Sequence, residues 1–161
     1  MAKTQKITTY LWFDGNAEEA VAHYTSLFED SRVTHVARWG KGGPGAEGTV
    51  MNIAFELAGQ SFIALNGGPH FKFTPAISLF VSCETQEEVD QLWGRFLAAG
   101  GKESHCGWLE DKFGLSWQII PKTLVDLMAD PDPVRAGRVA QKLMTMSKID
   151  LAALESAYAG N

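Results

Sequence analysis

The chain has 161 residues, a hydrophobic content of 45% and a formal net charge of −5 at pH 7. This size allows a compact domain with a sizeable core, built either as one unit or from two fused half-modules. The acidic balance and the lack of a Lys/Arg run argue against nucleic acid or an anionic membrane as the main partner, and they leave small neutral or cationic ligands open.

The start of the chain lacks the apolar core of a signal peptide, and no stretch approaches the roughly 18 apolar residues of a membrane span. The sequence therefore predicts a cytoplasmic protein. Cys83 and Cys106 show no CxxC or Cys/His spacing, so free thiols are expected instead of a disulfide framework or a zinc site. Cys106 directly follows His105, and adjacent strand residues point to opposite faces, which argues against a base–nucleophile pair.

Residues 7–65 predict a module of strand, helix and three further strands. Aromatic and β-branched residues fill the first strand, which stops at Asp14 and Gly15. Asn16, with Glu19 three positions on, is a suitable N-cap for a helix with an apolar stripe. The predicted elements are strand 7–13, helix 16–28 and strands 31–39, 49–57 and 60–65, with a turn at Ala58 and Gly59.

Residues 40–48, GKGGPGAEG, contain too many glycines to pack a core. They are interpreted as a mobile loop over one end of the sheet, with a lid as one role that it could serve.

The same order of elements returns over residues 76–120, after a linker at 66–75. Aligning the helix starts Asn16 and Thr85 brings Glu19 onto Glu88 and Tyr24 onto Trp93. The predicted strands are 76–83, 102–108, 109–111 and 115–120, and the helix ends at Gly100 and Gly101. The sequence thus predicts an α+β fold over 1–161, in which two repeated βαβββ modules form a curved mixed sheet around a cleft.

The last part of the second module, residues 108–121, reads WLEDKFGLSWQIIP and predicts a hairpin with its turn at 111–114. Gln118 lies on one face of the second strand of this hairpin. An amide there brings a donor and an acceptor to a small molecule, but neither charge nor basicity.

Residues 122–161 predict a helical extension with helices at 123–129, 133–148 and 151–159, and with Gly160 as a C-cap. Leu143, Met144 and Met146 form an apolar stripe that is expected to pack against the sheet or a partner subunit.

Four stretches of the sequence carry a resemblance to a known family. They are YLWFDGNAEEAVAHY, ISLFVSCETQEEVDQLW, CGWLEDKFGLSWQIIP and MTMSKIDLAALESAYAG. Together they resemble the PhnB-like proteins, often labelled 3-demethylubiquinone-9 3-methyltransferase, of the vicinal-oxygen-chelate superfamily, which includes glyoxalases, bleomycin-resistance proteins and extradiol dioxygenases. The resemblance implies the glyoxalase/bleomycin-resistance/dioxygenase fold.

The resemblance also implies where a metal would bind, because metal-using members place His, Glu or Gln on the first and last strands of each module. The matching positions here hold Ala76 and Gln118 in the second module. In the first module they hold Thr8 or Thr9 and Ile63 or Ala64. One neutral amide among hydroxyl and alkyl groups cannot replace the hydration of a divalent cation, so we predict no metal and no cofactor.

The candidate ligand-binding residues are an amide, a hydroxyl and aromatic side chains on the inner strands. Gln118 could orient a ligand or bond across the sheet, and Ser78 could line the cleft or bond to neighbouring backbone. Trp12 and Trp39 add to an aromatic set that could form stacking walls or core. The predicted ligand-binding set is Gln118, Ser78, Phe80, Trp108, Tyr10 and Asn66.

The leading hypothesis is a homodimer that binds a small apolar or aromatic molecule in the cleft without a metal. One alternative is an enzyme of the same fold, either a metal-dependent lyase, isomerase or dioxygenase relative or a methyltransferase, as the family label suggests. Against the methyltransferase, the glycines at 42–43 and 67–68 lack the strand–turn–helix setting of a cofactor-binding Rossmann unit. Another alternative is an antibiotic-sequestering resistance protein.

Overall fold

The structure is a computed structural model that describes residues 5–161. It is an α+β protein with two four-stranded sheets, and the chain folds into two compact units, Met1–Lys72 and Phe73–Asn161. None of the helices in the described residues has the length and apolarity needed to cross a membrane.

The first unit contains the predicted strand–helix–strand–strand–strand module. Its elements are β1 Thr9–Phe13, α1 Ala17–Leu27, β2 Arg32–Arg38, β3 Val50–Leu57 and β4 Gln60–Asn66, and the sheet order is β1-β4-β3-β2. β1 runs parallel to β4, and the other neighbours are antiparallel. One face of the sheet packs on α1 through buried residues that include Leu11, Phe13, Phe55 and Phe62.

The start of α1 differs from the prediction at Asn16, whose side chain makes no capping hydrogen bond. The first free N–H of the helix, that of Ala17, instead donates to Oδ1 of Asn66 at 2.9 Å. The amide at the end of β4 thus takes over the cap, a long-range contact that local sequence spacing does not contain.

The second unit repeats the topology of the first. Its elements are β5 Ser78–Cys83, α2 Gln86–Ala98, β6 Lys102–Glu103, β7 Trp108–Glu110 and β8 Ser116–Pro121, in the order β5-β8-β7-β6. Here the predicted cap is confirmed, because the N–H of Glu88 donates to Oγ1 of Thr85 at 3.2 Å. The repeat of βαβββ modules is therefore confirmed.

Counting from the end of each strand gives the equivalent positions in the two sheets. Tyr10 lies three residues before the end of β1 and pairs with Ile63, three before the end of β4. Phe80 and Gln118 hold the same places on β5 and β8 and also pair. Tyr10 therefore corresponds to Phe80, and Ile63 corresponds to Gln118.

The predicted strand 102–108 is wrong, because β6 spans only two residues. Cys106 and Gly107 have positive φ angles of 58° and 82°, which turn the chain away from the strand. Their N–H groups donate to the carbonyls of Met146 and Ser147, each at 2.8 Å. The C-terminal extension thus takes the hydrogen bonds that a longer β6 would have given to the sheet.

The β7–β8 hairpin is confirmed, and one buried carboxylate organises its turn. Asp111 is 2% exposed, and its Oδ1 accepts hydrogen bonds from the N–H groups of Phe113 at 2.8 Å and Leu115 at 3.0 Å. Its Oδ2 accepts from Nε1 of Trp117 at 2.9 Å. Asp111 stabilises the turn and is not placed for acid–base chemistry.

Three helices complete the second unit: α3 Lys122–Met128, α4 Pro133–Leu143 and α5 Leu151–Ala159. α4 stops five residues before the predicted end at 148, because the following residues turn to meet Cys106 and Gly107. Gly160 is the C-cap with φ 91°, as predicted. A small core beneath the helices contains Ile120, Leu124, Val139, Met146, Ile149 and Leu154, with Leu143 packed against it, whereas Met144 is 75% exposed.

Candidate functional site

The open face of the second sheet carries four of the six predicted ligand-binding residues. α2 covers the other face, where the rings of Phe96 and Trp117 lie 5.0 Å apart. Alternation along β8 turns Gln118 away from α2. Its strand partners are Phe80 on β5 and Trp108 on β7, so an amide lies between two aromatic residues in one row across three strands.

Gln118 also makes a hydrogen bond across the sheet. Its Nε2 donates to Oγ of Ser78 at 2.9 Å. A hydroxyl both donates and accepts, so Ser78 can bond either end of the amide and leave the other end for a ligand. This hydrogen bond fixes the position of the Gln118 side chain. The neighbouring Phe80 is 53% exposed.

The chemistry of this row is neutral. The row of Phe80, Gln118 and Trp108 offers two aromatic rings and one amide, and the carboxylate on the same strands is that of Glu110, which pairs with Ser116. Such a surface is suited to a flat or apolar molecule with one polar group.

Tyr10 occupies the same position in the first sheet that Phe80 occupies in the second, and it is also 53% exposed. Its strand partner is Ile63, so the first sheet has an exposed ring but no amide beside it in the strand pairing. The strand partner of the exposed ring is thus an amide in the second sheet and an alkyl side chain in the first.

Asn66 lies in a different setting, at the end of β4. Its Oδ1 caps α1, while its Nδ2 donates to Oε2 of Glu18 at 2.8 Å and to the carbonyl of Val50 at 3.1 Å. Three hydrogen bonds hold this amide in place, so its first role is to join the end of the sheet to the start of the helix.

Asn66 also lines two adjoining hollows of the first unit, with volumes of about 420 and 380 Å³. Trp12, Leu65 and the backbone at Gly67 line the larger hollow, and Asp14, Glu18 and Thr49 line the smaller one. Trp39, Asn66 and Gly68 line both. The sequence predicted an aromatic role for both tryptophans but did not single out Asp14 and Glu18 as site residues. The glycine-rich segments that pack on the two tryptophans were the signal in the sequence for this part of the fold.

The donor set does not fit the divalent metal that the fold family implies. Gln118 offers a neutral amide and Ser78 a hydroxyl, Ala76 lies before the start of β5, and Ile63 has no donor. Among residues 5–161 no three His, Cys, Asp or Glu side chains group together as a metal site requires. These residues do not supply the charge that replaces the hydration of a divalent ion.

The two cysteines are free thiols, as predicted. Burial, together with the charge of nearby Glu88, raises the pKa of Cys83 from 9.0 to about 12. Sγ of Cys106 donates to the carbonyl of Leu143 at 3.6 Å, in contact with the C-terminal extension. Because its pKa is about 12, Cys83 stays protonated at neutral pH and is a poor nucleophile.

Comparisons with known proteins place the chain in a family. The family model described as 3-demethylubiquinone-9 3-methyltransferase matches residues 5–120, so α3, α4 and α5 lie outside the match. A solved PhnB protein from Bacillus cereus with the same methyltransferase description is 44% identical, over 71% of this chain and 97% of that chain, with a TM-score of 0.65. A comparison with curated proteins gives no match.

Two more distant structures share the fold. Protein PA1353 from Pseudomonas aeruginosa is 19% identical over 71% of this chain and 95% of that chain, with a TM-score of 0.58. The fosfomycin resistance protein FosX from Listeria monocytogenes, solved with Mn(II) and sulfate, is 12% identical over 73% and 87%, with a TM-score of 0.50. The chain therefore belongs to the PhnB-like family labelled 3-demethylubiquinone-9 3-methyltransferase.

Proposed function

We propose that this protein binds a small aromatic or apolar molecule with one polar group on the open face of the second sheet, without a metal ion. The observation that carries the proposal is the row of Phe80, Gln118 and Trp108, in which one amide lies between two aromatic residues.

Exposure of the ring supports a binding role. Phe80 is 53% exposed, and a ligand that covers it removes apolar surface from water at about 25 cal/mol per Å². A ring that lies flat against this surface adds the stacking preference of aromatic pairs. The apolar part of the ligand therefore supplies most of the affinity.

Preorganisation of the amide supports the polar part of the proposal. Gln118 is already held by Ser78, so a ligand that bonds to it does not have to order a free side chain. An uncharged amide can donate to a carbonyl or bond to a hydroxyl of the ligand, and it supplies no positive charge to neutralise a carboxylate or phosphate. A quinone or a phenol has this combination of ring and polar group.

The local structure of the glycine segments supports binding over transfer of a methyl group from S-adenosylmethionine. Positions for the Cβ of Gly43 and Gly45 fall against the ring of Trp39, and that of Gly67 falls against Trp12. These glycines lie in loops that pack against tryptophan rings. They do not form the strand–turn–helix of a nucleotide site.

A thermal-shift screen of the purified protein tests the proposal, with quinones, phenols and matched non-aromatic alcohols as probes. We expect a rise in Tm with the aromatic compounds that is lost in Gln118→Leu and kept in Gln91→Leu, where an exposed helix glutamine is changed. No shift with any aromatic compound contradicts ligand binding. A shift that requires Mn²⁺, or one produced by S-adenosylmethionine, favours an enzyme instead.

We also propose that the protein is a cytoplasmic homodimer. Val134, at 63% exposure, and Met144, at 75%, leave apolar surface on the C-terminal helices that a second copy could cover. Sedimentation velocity tests the dimer, because each chain has a mass of 17.6 kDa and a monomer and a dimer separate clearly. A single monomer species at micromolar concentration contradicts it.

A further inference from the structure

The hollow at the end of the first sheet has walls of an unusual kind, because two tryptophans line it. Trp12 comes from β1, and its Nε1 donates to the carbonyl of Gly68 at 2.8 Å. Phe71 lies edge-on to the same indole, with ring centroids 4.9 Å apart. These contacts hold one ring of the wall in place.

The second ring, that of Trp39, is held by glycine backbone. A Cβ at Gly45 would come within 2.2 Å of the Trp39 ring, and one at Gly43 within 2.9 Å. A Cβ at Gly67 would likewise come within 2.3 Å of Trp12. Only glycine permits these approaches, so the loop at 40–48 packs on Trp39 at one side of the hollow.

Two carboxylates line the adjoining part of the hollow. Glu18 is oriented by the amide of Asn66, which donates to its Oε2 at 2.8 Å, and Asp14 directly follows β1. Among the described residues that line either part there is no lysine, arginine or histidine. The neighbouring Arg38 directs its Nη1 to the carbonyl of Gly48 at 2.9 Å. The lining is therefore aromatic and acidic.

The start of α1 does not reverse this preference. A helix N-terminus favours anions through its free N–H groups, but here the N–H of Ala17 is taken by Asn66. The first turn also carries Glu18 and Glu19. The negative side chains thus offset the positive end of the helix.

We propose that this hollow binds a small organic cation with an alkylammonium head group. The methyl groups and the charge contact the indoles of Trp12 and Trp39 through cation–π interactions on the sides opposite the glycine backbone, and Asp14 and Glu18 supply the counter-charge. A volume of about 420 Å³ accommodates such a head group with part of its substituent. The site is formed by residues of the first unit, whereas the Gln118 row is formed by residues of the second.

The experiment compares a charged probe with its neutral counterpart of the same shape. Choline and 3,3-dimethyl-1-butanol are titrated into the ¹⁵N-labelled protein, and the indole N–H signals of the five tryptophans are followed by NMR. We expect choline to shift the signals of Trp12 and Trp39 and to leave that of Trp117 in place, and we expect the alcohol to shift none of them. Equal shifts with the alcohol, or no shift with choline, overturn the proposal.

Variants then test which residues recognise the charge. Trp39→Leu is expected to weaken choline binding about tenfold, as for one desolvated cation–π contact, and Phe80→Leu in the second unit is expected to leave it unchanged. Asp14→Asn should weaken binding, while Glu155→Gln on α5 makes the same change of charge elsewhere without effect. Equal losses in the paired variants contradict the proposal, and the two wild-type titrations decide it if Trp39→Leu does not fold.

Discussion

The same end of the two sheets is hollow in one unit and filled in the other. In the first unit the ends of β1 and β4 surround the hollow between Trp12 and Trp39. In the second unit the C-terminal extension occupies the corresponding end. The side chain of Gln86, at the start of α2, donates to the carbonyl of Ile149 and accepts from the N–H of Leu151, each at 2.8 Å.

The difference shows how a repeated module diverges without a change of topology. Both modules keep the strand order and the pairing of β1 with β4 and of β5 with β8. They differ in the segments attached to one end: a glycine-rich loop in the first and three helices in the second. At that end the first module has an open pocket, whereas the second module has buried apolar contacts with the C-terminal helices.

The largest expected effect tests whether the filled end is closed to reagents. With a pKa of about 12 instead of 9.0, the thiolate fraction of Cys83 at pH 8 falls about a thousandfold. Alkylation by iodoacetamide followed by mass spectrometry should therefore label Cys83 only after denaturation. Rapid labelling of the native protein contradicts a closed end.

The same raised pKa predicts a pH dependence of stability. Because the folded state holds the proton of Cys83 and the unfolded state loses it, the free energy of unfolding should fall as pH rises from 9.0 towards about 12. Cys83→Val should remove this part of the pH dependence.

A second prediction concerns the core of the extension. Ile149 is fully buried, and its Cγ1 lies 3.0 Å from the place of a Cβ on Gly107. Ile149→Ala should lower the free energy of unfolding by about 2–5 kcal/mol in urea titrations. Val125→Ala, at a site 49% exposed on α3, is the control and should change it by less than about 0.5 kcal/mol. Equal effects of the two changes would mean that the extension does not pack as described.

A third prediction tests the hollow end directly. Gly45→Ala places a methyl group 2.2 Å from the ring of Trp39 and should destabilise the protein by about 1–3 kcal/mol. It should also change the fluorescence of the displaced indole. Gly40→Ala lies in the same loop, where the added methyl group meets no described atom within 4 Å, and should leave both measurements near the wild type. A harmless Gly45→Ala would show that the loop does not pack on Trp39.

The smallest effect concerns the turns that close the two hairpins. Ala58 has a φ of 47° in the β3–β4 turn, whereas the β7–β8 turn uses Asp111 and a glycine at φ 90°. Ala58→Gly should relieve the left-handed strain and raise the free energy of unfolding by about 1 kcal/mol. Thermal unfolding measures the change, and a lower Tm would contradict the strain.

Local patterns predicted the parts of the fold that local contacts determine. The Thr85 cap and the Asp111 turn involve residues within six positions of each other, so spacing alone was enough. The cap on Ala17 came from Asn66, and the break after β6 came from hydrogen bonds to Met146 and Ser147. Those partners are remote in sequence, and single-sequence patterns do not contain them.

The candidate site also has one part that local sequence patterns predicted and one part that depends on residues remote in sequence. Period-two alternation placed Gln118, Ser78 and Phe80 on one face, and the register of β5 with β8 confirms that placement. The hollow between Trp12 and Trp39 required the loop at 40–48 to approach the end of β4. The glycine content of residues 40–48 predicted a mobile loop. In the structure, the absence of a side chain at Gly43 and Gly45 lets this loop pack closely on the ring of Trp39.

The most direct test of the central claim is titration calorimetry of the tightest aromatic ligand from the screen against three forms of the protein. The account predicts that Gln118→Leu weakens binding about tenfold, the loss of one directed hydrogen bond, while Gln91→Leu binds as the wild type does. Affinity that is equal in all three forms would contradict the claim that the amide on the open face of the second sheet recognises the ligand.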